Sequence, residues 1–327
     1  MGSSPSPSLK KKVIIDTDPG IDDAMAILMA FQSPELEIIG LTSVFGNVHA
    51  TLATFNALFL CELGGHPHVP VAEGSGSPLK GGVPRIADFV HGDDGLGNTN
   101  LAKACNKKIE QSAVDFLIEK VSQYPGEISI VALGPLTNVA HAIKKNSSFG
   151  KNIGQLIVLG GAFFSSGNVS PAAEANIFGD PEAADFVFTS PGINTFVIGI
   201  NLTTQVILTD EDLIEIKNSN GRHAEFLFNC TQFYKKWHIQ SDRLHGIFLH
   251  DPTCMAAVLD PTLFTYRKGT VRVETSGICA GHTLLDLGLR KWKWGENPWT
   301  SLPAVNVGWR VNAEGVKRLV RDTLMRQ

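Results

Sequence analysis

The sequence predicts an α/β fold in a single domain, with a mostly parallel, Rossmann-like central sheet flanked by helices. Short β-branched runs alternate with helical patterns along the chain, as expected of βαβ units. The 327 residues are 43% hydrophobic and 18% charged, which fits one large core. No internal repeat or linker-like stretch follows the first dozen residues. We therefore expect a disordered leader at residues 1–12 and one folded domain at residues 13–327.

The first predicted element is a strand, because the β-branched run at residues 13–15 precedes a turn at Pro19 and Gly20. The apolar residues after this turn predict a helix, and strand and helix patterns then alternate up to residue 200. The strand candidates are residues 13–17, 38–44, 128–133, 155–159 and 195–200, and the helix candidates are residues 22–31, 49–63, 112–122, 137–143 and 181–188.

Beyond residue 200 the pattern becomes more helical, and residues 211–218 and 221–238 are predicted helices. Asp251 suits the N-cap of a further helix, because Pro252 would then occupy the first helical position. A few strands, a tryptophan-rich loop at residues 292–299 and a terminal helix complete the chain.

The composition argues against several classes of partner and site. A net charge of −4 is too small to favour nucleic acid or an anionic membrane surface, and no apolar run approaches the length of a transmembrane span. The five cysteines are scattered and form no CxxC pair, which argues against a disulfide framework or a zinc site. Free cysteines favour a reducing compartment. We therefore expect a cytoplasmic protein without nucleic-acid or membrane partners.

Four carboxylates fall within eight residues at the end of the first predicted strand: Asp16, Asp18, Asp22 and Asp23. Like charges crowded at the end of a strand repel one another and raise one another's pKa unless a cation holds them together. Asp22 and Asp23 are also expected at a helix N-terminus, where negative charge is favoured. Helix capping alone would need only one of these side chains. The cluster therefore predicts a site for a hard cation, with carboxylate left over for chemistry.

Unusual residues follow the other predicted strands as well. Asn47 comes after the second strand, Thr137 after the third and Gly160-Gly161 after the fourth. Ligand sites in parallel sheets form beyond the carboxyl ends of the strands. Distant segments thus predict a single site at that end of the sheet.

The whole set of motifs resembles the inosine–uridine nucleoside hydrolase family, in family order from residue 13 to beyond residue 251. This resemblance implies a calcium-dependent N-ribohydrolase on a mostly parallel sheet. One departure is Ala175, where some relatives carry a bulkier aromatic residue. The matching segments are Asp16-Thr17-Asp18-Pro19-Gly20-Ile21-Asp22-Asp23, Gly46-Asn47, Gly134-Pro135-Leu136-Thr137-Asn138, Gly160-Gly161, Glu174-Ala175-Asn176, Asp180-Pro181-Glu182-Ala183 and His250-Asp251-Pro252.

The resemblance implies that Asp18, Asp23, Asp251 and the backbone carbonyl of Thr137 bind Ca²⁺, which prefers six to eight oxygen ligands. Asp18 resembles the family's general base, which acts on a water whose pKa the metal lowers. Asp16 resembles the acid that orients the cluster from behind.

The substrate contacts implied by the resemblance divide into a sugar set and a base set. Asp22 and Asn47 resemble the residues that bind the 2′- and 3′-hydroxyls, while Glu174 and Asn176 resemble those at the 5′ end. His250 resembles the histidine that protonates the departing base. The remaining candidates for substrate contact are His91, His245, Phe248 and Asp251, and members of the family differ in base recognition around Trp237 and His238.

The expected partners are free ribonucleosides, with inosine, xanthosine and uridine foremost, and the expected assembly is a homodimer or homotetramer. Two other functions compete. A haloacid-dehalogenase-type phosphatase would also carry Asp16 and Asp18 after a strand, but it gives no role to Asp22-Asp23 or to His250-Asp251. A calcium-dependent ribose-binding protein without turnover would share the sugar contacts but would not need Asp18 and His250.

Overall fold

The computed structural model describes residues 10–99, 104–290 and 297–327. The strands are β1 Lys11–Thr17, β2 Leu36–Ser43, β3 Val71–Ala72, β4 Ile128–Ala132, β5 Gln155–Leu159, β6 Thr195–Ile198, β7 Ile207–Thr209, β8 Gly246–Phe248, β9 Phe264–Val273, β10 Thr283–Asp286 and β11 Val305–Val311. The helices are α1 Ile21–Phe31, α2 Ala50–Leu63, α3 Asp88–His91, α4 Ala113–Gln123, α5 Thr137–Lys145, α6 Phe149–Asn152, α7 Ala175–Gly179, α8 Pro181–Thr189, α9 Ile200–Thr203, α10 Asp210–Asn218, α11 Ala224–Asp242, α12 His250–Leu259 and α13 Ala313–Leu324.

Nine strands form the central sheet, in the order β10-β9-β11-β6-β5-β4-β1-β2-β3. The strands from β11 to β3 in this order run parallel, whereas β9 pairs antiparallel with both β11 and β10. The chain moves outward from β1 through β2 to β3, and then restarts on the other side of β1 with β4. This reversal between β1 and β4 is the position where doubly wound sheets form ligand sites.

Helices cover both faces of the sheet and bury two apolar clusters. One cluster packs α1, α12 and α13 against the sheet, and the other packs α4, α5 and α8. All eleven residues of α1 are buried, including its two aspartates. A helix that is buried on every side cannot solvate charged residues, so their charge must be balanced inside the protein.

The predicted strands and helices are confirmed with small shifts at their ends. β1 begins at Lys11, inside the predicted leader, while residues 1–9 lie outside the described residues. Strand β6 stops at Ile198 because Gly199 caps the short helix α9. The predicted cap of α12 was wrong: this helix begins at His250, so Asp251 lies in its first turn.

Two further sequence features are the tryptophan-rich loop and the lack of a predicted transmembrane span. Most of the tryptophan-rich loop, including Trp292 and Trp294, lies outside the described residues. Among the described residues, no helix is both long enough and apolar enough to cross a membrane.

Candidate active site

The candidate active site lies at the carboxyl ends of β1 and β4, where the strand order of the sheet reverses. A cavity of about 440 Å³ opens there, a size that suits a small-molecule ligand. Its lining combines loops after the central strands with side chains from α3, α11 and α12. Segments far apart in the sequence therefore meet at one edge of the sheet.

Asp18 directly follows β1 and is 1% exposed. Its Oδ2 accepts a hydrogen bond of 2.7 Å from the Asn47 N–H, whereas Oδ1 has no partner among the described residues. A Cβ added to Gly46 would collide with this carboxylate, and one added to Gly134 would lie 2.5 Å from Oδ1. The two glycines therefore allow the loops after β2 and β4 to close on Asp18.

Asp23 lies in the first turn of α1 and is fully buried. Its Oδ1 accepts a hydrogen bond from the Thr17 hydroxyl. Its Oδ2 accepts bonds from the Gly20 N–H at 3.0 Å and from Asn47 Nδ2 at 2.8 Å. Asp23 thus connects the end of β1, the turn before α1 and the loop after β2.

Three buried carboxylates meet at the cavity: Asp22, Asp23 and Asp251 each place an oxygen within 4.8 Å of the other two. Asp18 is outside this trio, but its charge raises the pKa of Asp251. Asp18, Asp22 and Asp251 each have one oxygen without a hydrogen-bond partner among the described residues. Buried carboxylate oxygens without donors are unfavourable unless a cation or a proton satisfies them.

Burial raises the pKa of these carboxyl groups, and repulsion between them adds to the effect. The pKa of Asp22 is raised to about 7, first by burial and then by Asp23. The pKa values of Asp18 and Asp251 lie well above the usual range for the same two kinds of cause. A cation would offset this repulsion, and an all-oxygen donor set fits a hard divalent ion. The aspartate cluster can therefore bind a metal.

Of the predicted metal ligands, Asp23 and Asp251 place carboxylate oxygens within 4.8 Å of each other, and the charge of Asp18 raises the pKa of Asp251. The cluster also includes Asp22, which the sequence analysis assigned to the sugar. Thr137, the fourth predicted ligand, is buried at the start of α5, and its hydroxyl donates a bond of 2.7 Å to Asp180 Oδ2. The contact of its carbonyl with a metal stays a prediction.

Asp16 is buried on β1, two residues before Asp18 and therefore on the same face of the strand. Its Oδ1 accepts bonds of 2.5 Å from the Thr42 hydroxyl and 2.8 Å from Asn138 Nδ2. Burial raises the pKa of Asp16 to about 6. Asp16 therefore connects β1, β2 and α5 behind the cluster without lining the cavity itself.

Glu174 and Asn176, the predicted contacts at the 5′ end of the sugar, both line the cavity. The Glu174 carboxylate caps α7 and accepts three backbone N–H bonds of 2.9, 2.9 and 3.1 Å. Asn176 Nδ2 donates to backbone carbonyls next to the ends of β4 and β5 at 2.5 and 3.2 Å. Burial raises the pKa of Glu174, while the charge of Arg85, another lining residue, lowers it by a smaller amount. Local hydrogen bonds thus hold both side chains in place.

Three histidines line another part of the cavity: His91 on α3, His238 on α11 and His250 on α12. Burial lowers the pKa of His91 and His250 to about 3, and the nearby His238 adds to the effect in both cases. Burial also lowers the pKa of His238. All three rings are therefore neutral at pH 7.

The hydrogen bonds of two of these rings limit what they can do. His91 Nδ1 accepts the Ile21 N–H at 3.1 Å, so it carries no proton. Although the same nitrogen lies 3.9 Å from Asp22 Oδ1, the two groups form no charged pair, because the ring is neutral. His250 Nδ1 lies 2.7 Å from the Thr203 hydroxyl. When this hydroxyl donates, the ring keeps its proton on Nε2.

The structure brings one of the last two substrate candidates, Phe248 and His245, to the cavity. Phe248, at the end of β8, lines it, and its ring centroid lies 5.8 Å from that of His250. His245 is exposed and does not line the cavity, which corrects its predicted placement. The reason is the left-handed turn at Arg243, φ 55°, which ends α11 and leads the next residues along the surface.

The sequence analysis missed Tyr234, whose hydroxyl donates to Asp22 Oδ2 at 3.3 Å. Its ring also stacks on His91, with centroids 5.3 Å apart. Tyr234, His238 and Asp242 recur every four residues, so they share one face of α11, and all three line the cavity. The four-residue spacing was the available sequence signal for Tyr234. It indicates that the three side chains share a face of the helix, but it does not indicate that this face borders the cavity.

Comparison with known proteins agrees with this site. The family model for the inosine-uridine preferring nucleoside hydrolase matches residues 13–318. The chain is 60% identical over 316 residues to the probable uridine nucleosidase 1 of Oryza sativa subsp. japonica, which covers 97% of each chain. It is also 60% identical over 316 residues to uridine nucleosidase 1 of Arabidopsis thaliana, over 97% of this chain and 94% of that one.

Solved structures give the same answer. A plant nucleoside hydrolase superposes with a TM-score of 0.95 at 49% identity, over 97% of this chain and 99% of the other. A purine-preferring ribonucleoside hydrolase from Gardnerella vaginalis superposes with a TM-score of 0.89 at 34% identity, over 96% and 98% of the two chains. The matches span the aspartate cluster, the cavity wall and the sheet that carries them. The chain therefore belongs to the inosine–uridine preferring nucleoside hydrolase family and is an enzyme that hydrolyses ribonucleosides.

Proposed function

We propose that this hydrolase depends on Ca²⁺ and acts on uridine, inosine and xanthosine, releasing ribose and the free base. The observation that carries the proposal is the group of buried aspartates with unpartnered oxygens beside the cavity. The relatives from rice and Arabidopsis are named uridine nucleosidases, which supports uridine as a leading substrate. Family membership disfavours both the phosphatase and the binding protein without turnover.

Asp18, Asp23, Asp251 and the Thr137 carbonyl would hold the cation, and Asp22 places an oxygen within 4.8 Å of oxygens of Asp23 and Asp251. When bound, Ca²⁺ supplies positive charge that lowers the pKa of a nearby water and of the carboxyl groups themselves. Asp18 would then be ionised at neutral pH, although burial and the charge of Asp23 raise its pKa well above the usual range. Its unpartnered Oδ1 accepts the proton of the water that attacks the anomeric carbon.

Breaking the N-glycosidic bond develops positive charge on the ribosyl ring. Asp22 and Asn47 line the cavity and bind the 2′- and 3′-hydroxyls, while Glu174 and Asn176 face the 5′ end. The negative charge of the neighbouring aspartates stabilises the oxocarbenium-like transition state. The same part of the cavity thus orients the substrate and stabilises the positive charge of the transition state.

The departing base needs a hydrogen-bond or proton donor. His250 lines the cavity beside Asp251, and its ring is neutral because burial lowers its pKa to about 3. With the Thr203 hydroxyl donating to Nδ1, the N–H at Nε2 points away from Thr203 and is free to donate a hydrogen bond to the leaving base, which stabilises the negative charge that develops there.

We further propose that the enzyme is a cytoplasmic homodimer or homotetramer. The five cysteines form no disulfide, as expected in a reducing compartment. Leu284 on β10 is 42% exposed and Ile278 in the preceding turn is 98% exposed, which supports a further subunit packing near this sheet edge. Light scattering after size exclusion gives the assembly directly, and a monomer at micromolar concentration would contradict it.

Ribose release from uridine, inosine and xanthosine tests the proposed activity. Prolonged chelation should abolish it, and Ca²⁺ should restore it better than Zn²⁺, because the proposed ligands are all oxygens. Full activity in protein shown by elemental analysis to be free of metal would contradict the calcium assignment. Absence of ribose release from all three nucleosides in calcium-loaded protein would contradict the substrates.

A further inference from the structure

The mechanism proposed for the hydrolase gives no role to His238. It lies on α11, is 3% exposed and lines the cavity one turn after Tyr234. Its Nδ1 lies 2.9 Å from the backbone carbonyl of Tyr234. A carbonyl oxygen only accepts, so Nδ1 carries the proton and donates it. A neutral imidazole has one such proton, which leaves Nε2 as a hydrogen-bond acceptor.

The fixed position of Nδ1 leaves Nε2 on the far side of the ring. Nδ1 faces back along the helix to the carbonyl of Tyr234, and the two nitrogens of an imidazole point in widely divergent directions. Tyr234 meets the ring edge-on with centroids 4.2 Å apart, and Phe248 does so at 5.2 Å. No described residue hydrogen-bonds to Nε2. This atom is also not fully buried. The acceptor is therefore fixed in orientation and open to a ligand.

The charged and titratable groups around the ring favour its neutral form. His91 and His250 are neutral at pH 7 and contribute no negative charge that would hold a second proton. Asp242, one turn further along α11, raises the pKa of His238, but burial lowers it by more. The His238 ring also contacts the aromatic rings of Tyr234 and Phe248, which cannot replace a missing hydrogen bond.

We propose that His238 determines base specificity: its Nε2 accepts a hydrogen bond from the ring N–H of lactam-type bases, such as uracil and hypoxanthine. This inference rests on the proposed nucleoside hydrolysis and deepens it. Cytosine and adenine present an unprotonated ring nitrogen at the corresponding position, so two acceptors would face each other. A site with a buried acceptor rejects a ligand that cannot donate, because the acceptor is left unpaired.

The proposal predicts which kinetic constant changes. Negative charge builds on the base as it departs, so its ring N–H becomes a poorer donor in the transition state. The hydrogen bond to His238 is therefore strongest with bound substrate, and losing it should raise KM more than it lowers kcat.

The first measurement compares uridine with cytidine in the wild-type enzyme, because the two differ in size very little. We expect a KM for cytidine about tenfold higher or more, the size of one hydrogen bond to a buried acceptor. His238→Asn keeps a donor for the Tyr234 carbonyl but removes the Nε2 acceptor. It should raise the KM for uridine about tenfold and lower that for cytidine, because no acceptor then opposes the ring nitrogen of cytosine.

His141→Asn is the matched control, since His141 lies on α5 and does not line the cavity. His238→Gln is the second variant. Its amide can both accept and donate, so the KM for uridine should stay nearly unchanged and the KM for cytidine should fall. Equal KM values for uridine and cytidine in the wild type, or a parallel change of both in His238→Asn, would overturn the proposal. Wild-type protein that releases ribose from no nucleoside would instead contradict the proposed function.

Discussion

The two ends of the cavity are built differently. The end that holds the aspartates draws three of its four carboxylates from residues 18–23, and every one of these side chains is at most 4% exposed. The end that holds the histidines draws on α3, α11 and α12, and its rim includes Phe89, which is 46% exposed. A fully buried cluster of neighbouring carboxylates tolerates few substitutions. A wall formed by separate helices can accept the substitution of one side chain without disturbing the others. The bond chemistry is thus expected at the first end and base selection at the second.

Burial affects the two ends in opposite directions. It raises the pKa of the aspartates, so that without a cation the cluster tends to retain protons. It lowers the pKa of His91 and His250 to about 3, so that these rings stay neutral. Burial disfavours the charged form in every case. Only the aspartate end therefore needs a counter-charge to work at neutral pH.

Replacing Asp18 should have the largest effect on catalysis. Asp18→Ala removes both a cation ligand and the group that takes a proton from water, so kcat/KM for uridine should fall on the order of 10⁴-fold or more. Ribose release measured with saturating Ca²⁺ tests this. Asp322→Ala is a suitable control, because Asp322 is an exposed carboxylate on α13. Near-wild-type turnover by Asp18→Ala would remove Asp18 from the mechanism.

Removing one sugar hydroxyl should have the next largest effect. 2′-Deoxyuridine leaves the buried groups that bind the 2′-hydroxyl unpaired, so its kcat/KM should be on the order of 10³-fold below that of uridine. The same assay with both substrates gives the ratio. Comparable use of the two nucleosides would mean that the aspartate end does not recognise the sugar.

Changes at His250 should be smaller and should depend on the leaving group. His250→Ala should slow uridine about 10²-fold, and Thr203→Val, which removes only the hydroxyl that orients His250, about tenfold. A nitrophenyl riboside releases a stable anion that needs no proton, so both variants should hydrolyse it at nearly the wild-type rate. An equal loss on both substrates would show that His250 does not act on the departing base.

The last prediction concerns the way in which Asp16 makes the stability of the folded protein depend on pH. Because burial raises the pKa of Asp16 to about 6, the folded protein keeps a proton that the unfolded chain releases from about pH 4. Ionising Asp16 thus lowers the stability of the wild type as pH rises through this window, by about 1.4 kcal/mol per pH unit. The amide of Asp16→Asn does not titrate. The Tm of this variant minus the Tm of the wild type should therefore increase from pH 4 to pH 6 and then stay constant.

This last comparison is made in chelator, because a bound cation would change the charge balance near Asp16. Taking the difference between the two proteins also removes the contribution of the buried histidines, whose lowered pKa values act with the opposite sign. A difference in Tm that stays constant across this range would mean that Asp16 titrates normally in the folded state.

Much of the fold was predictable because its signals are local. The β-branched run of β1, the turn at Pro19 and Gly20, and the buried helix α1 follow one another in the sequence and form the expected unit. The short elements were not predictable in this way. Strands β7 and β8 have three residues each and pair with one another from positions far apart in the chain, so neither carries a pattern of its own.

By itself the sequence determined the mostly parallel α/β fold, the run of aspartates at residues 16–23 and the end of the sheet where it lies, because local patterns of strand, turn and helix encode them. Tertiary structure alone decided which side chains of the later helices line the cavity. It placed Tyr234 against Asp22 across 212 positions of the chain, kept His245 at the surface and fixed the ring of His238 by a hydrogen bond from Nδ1 to the Tyr234 carbonyl. Helical spacing records that residues share a face of α11, but what that face meets depends on the packing of α11 against α1 and α3.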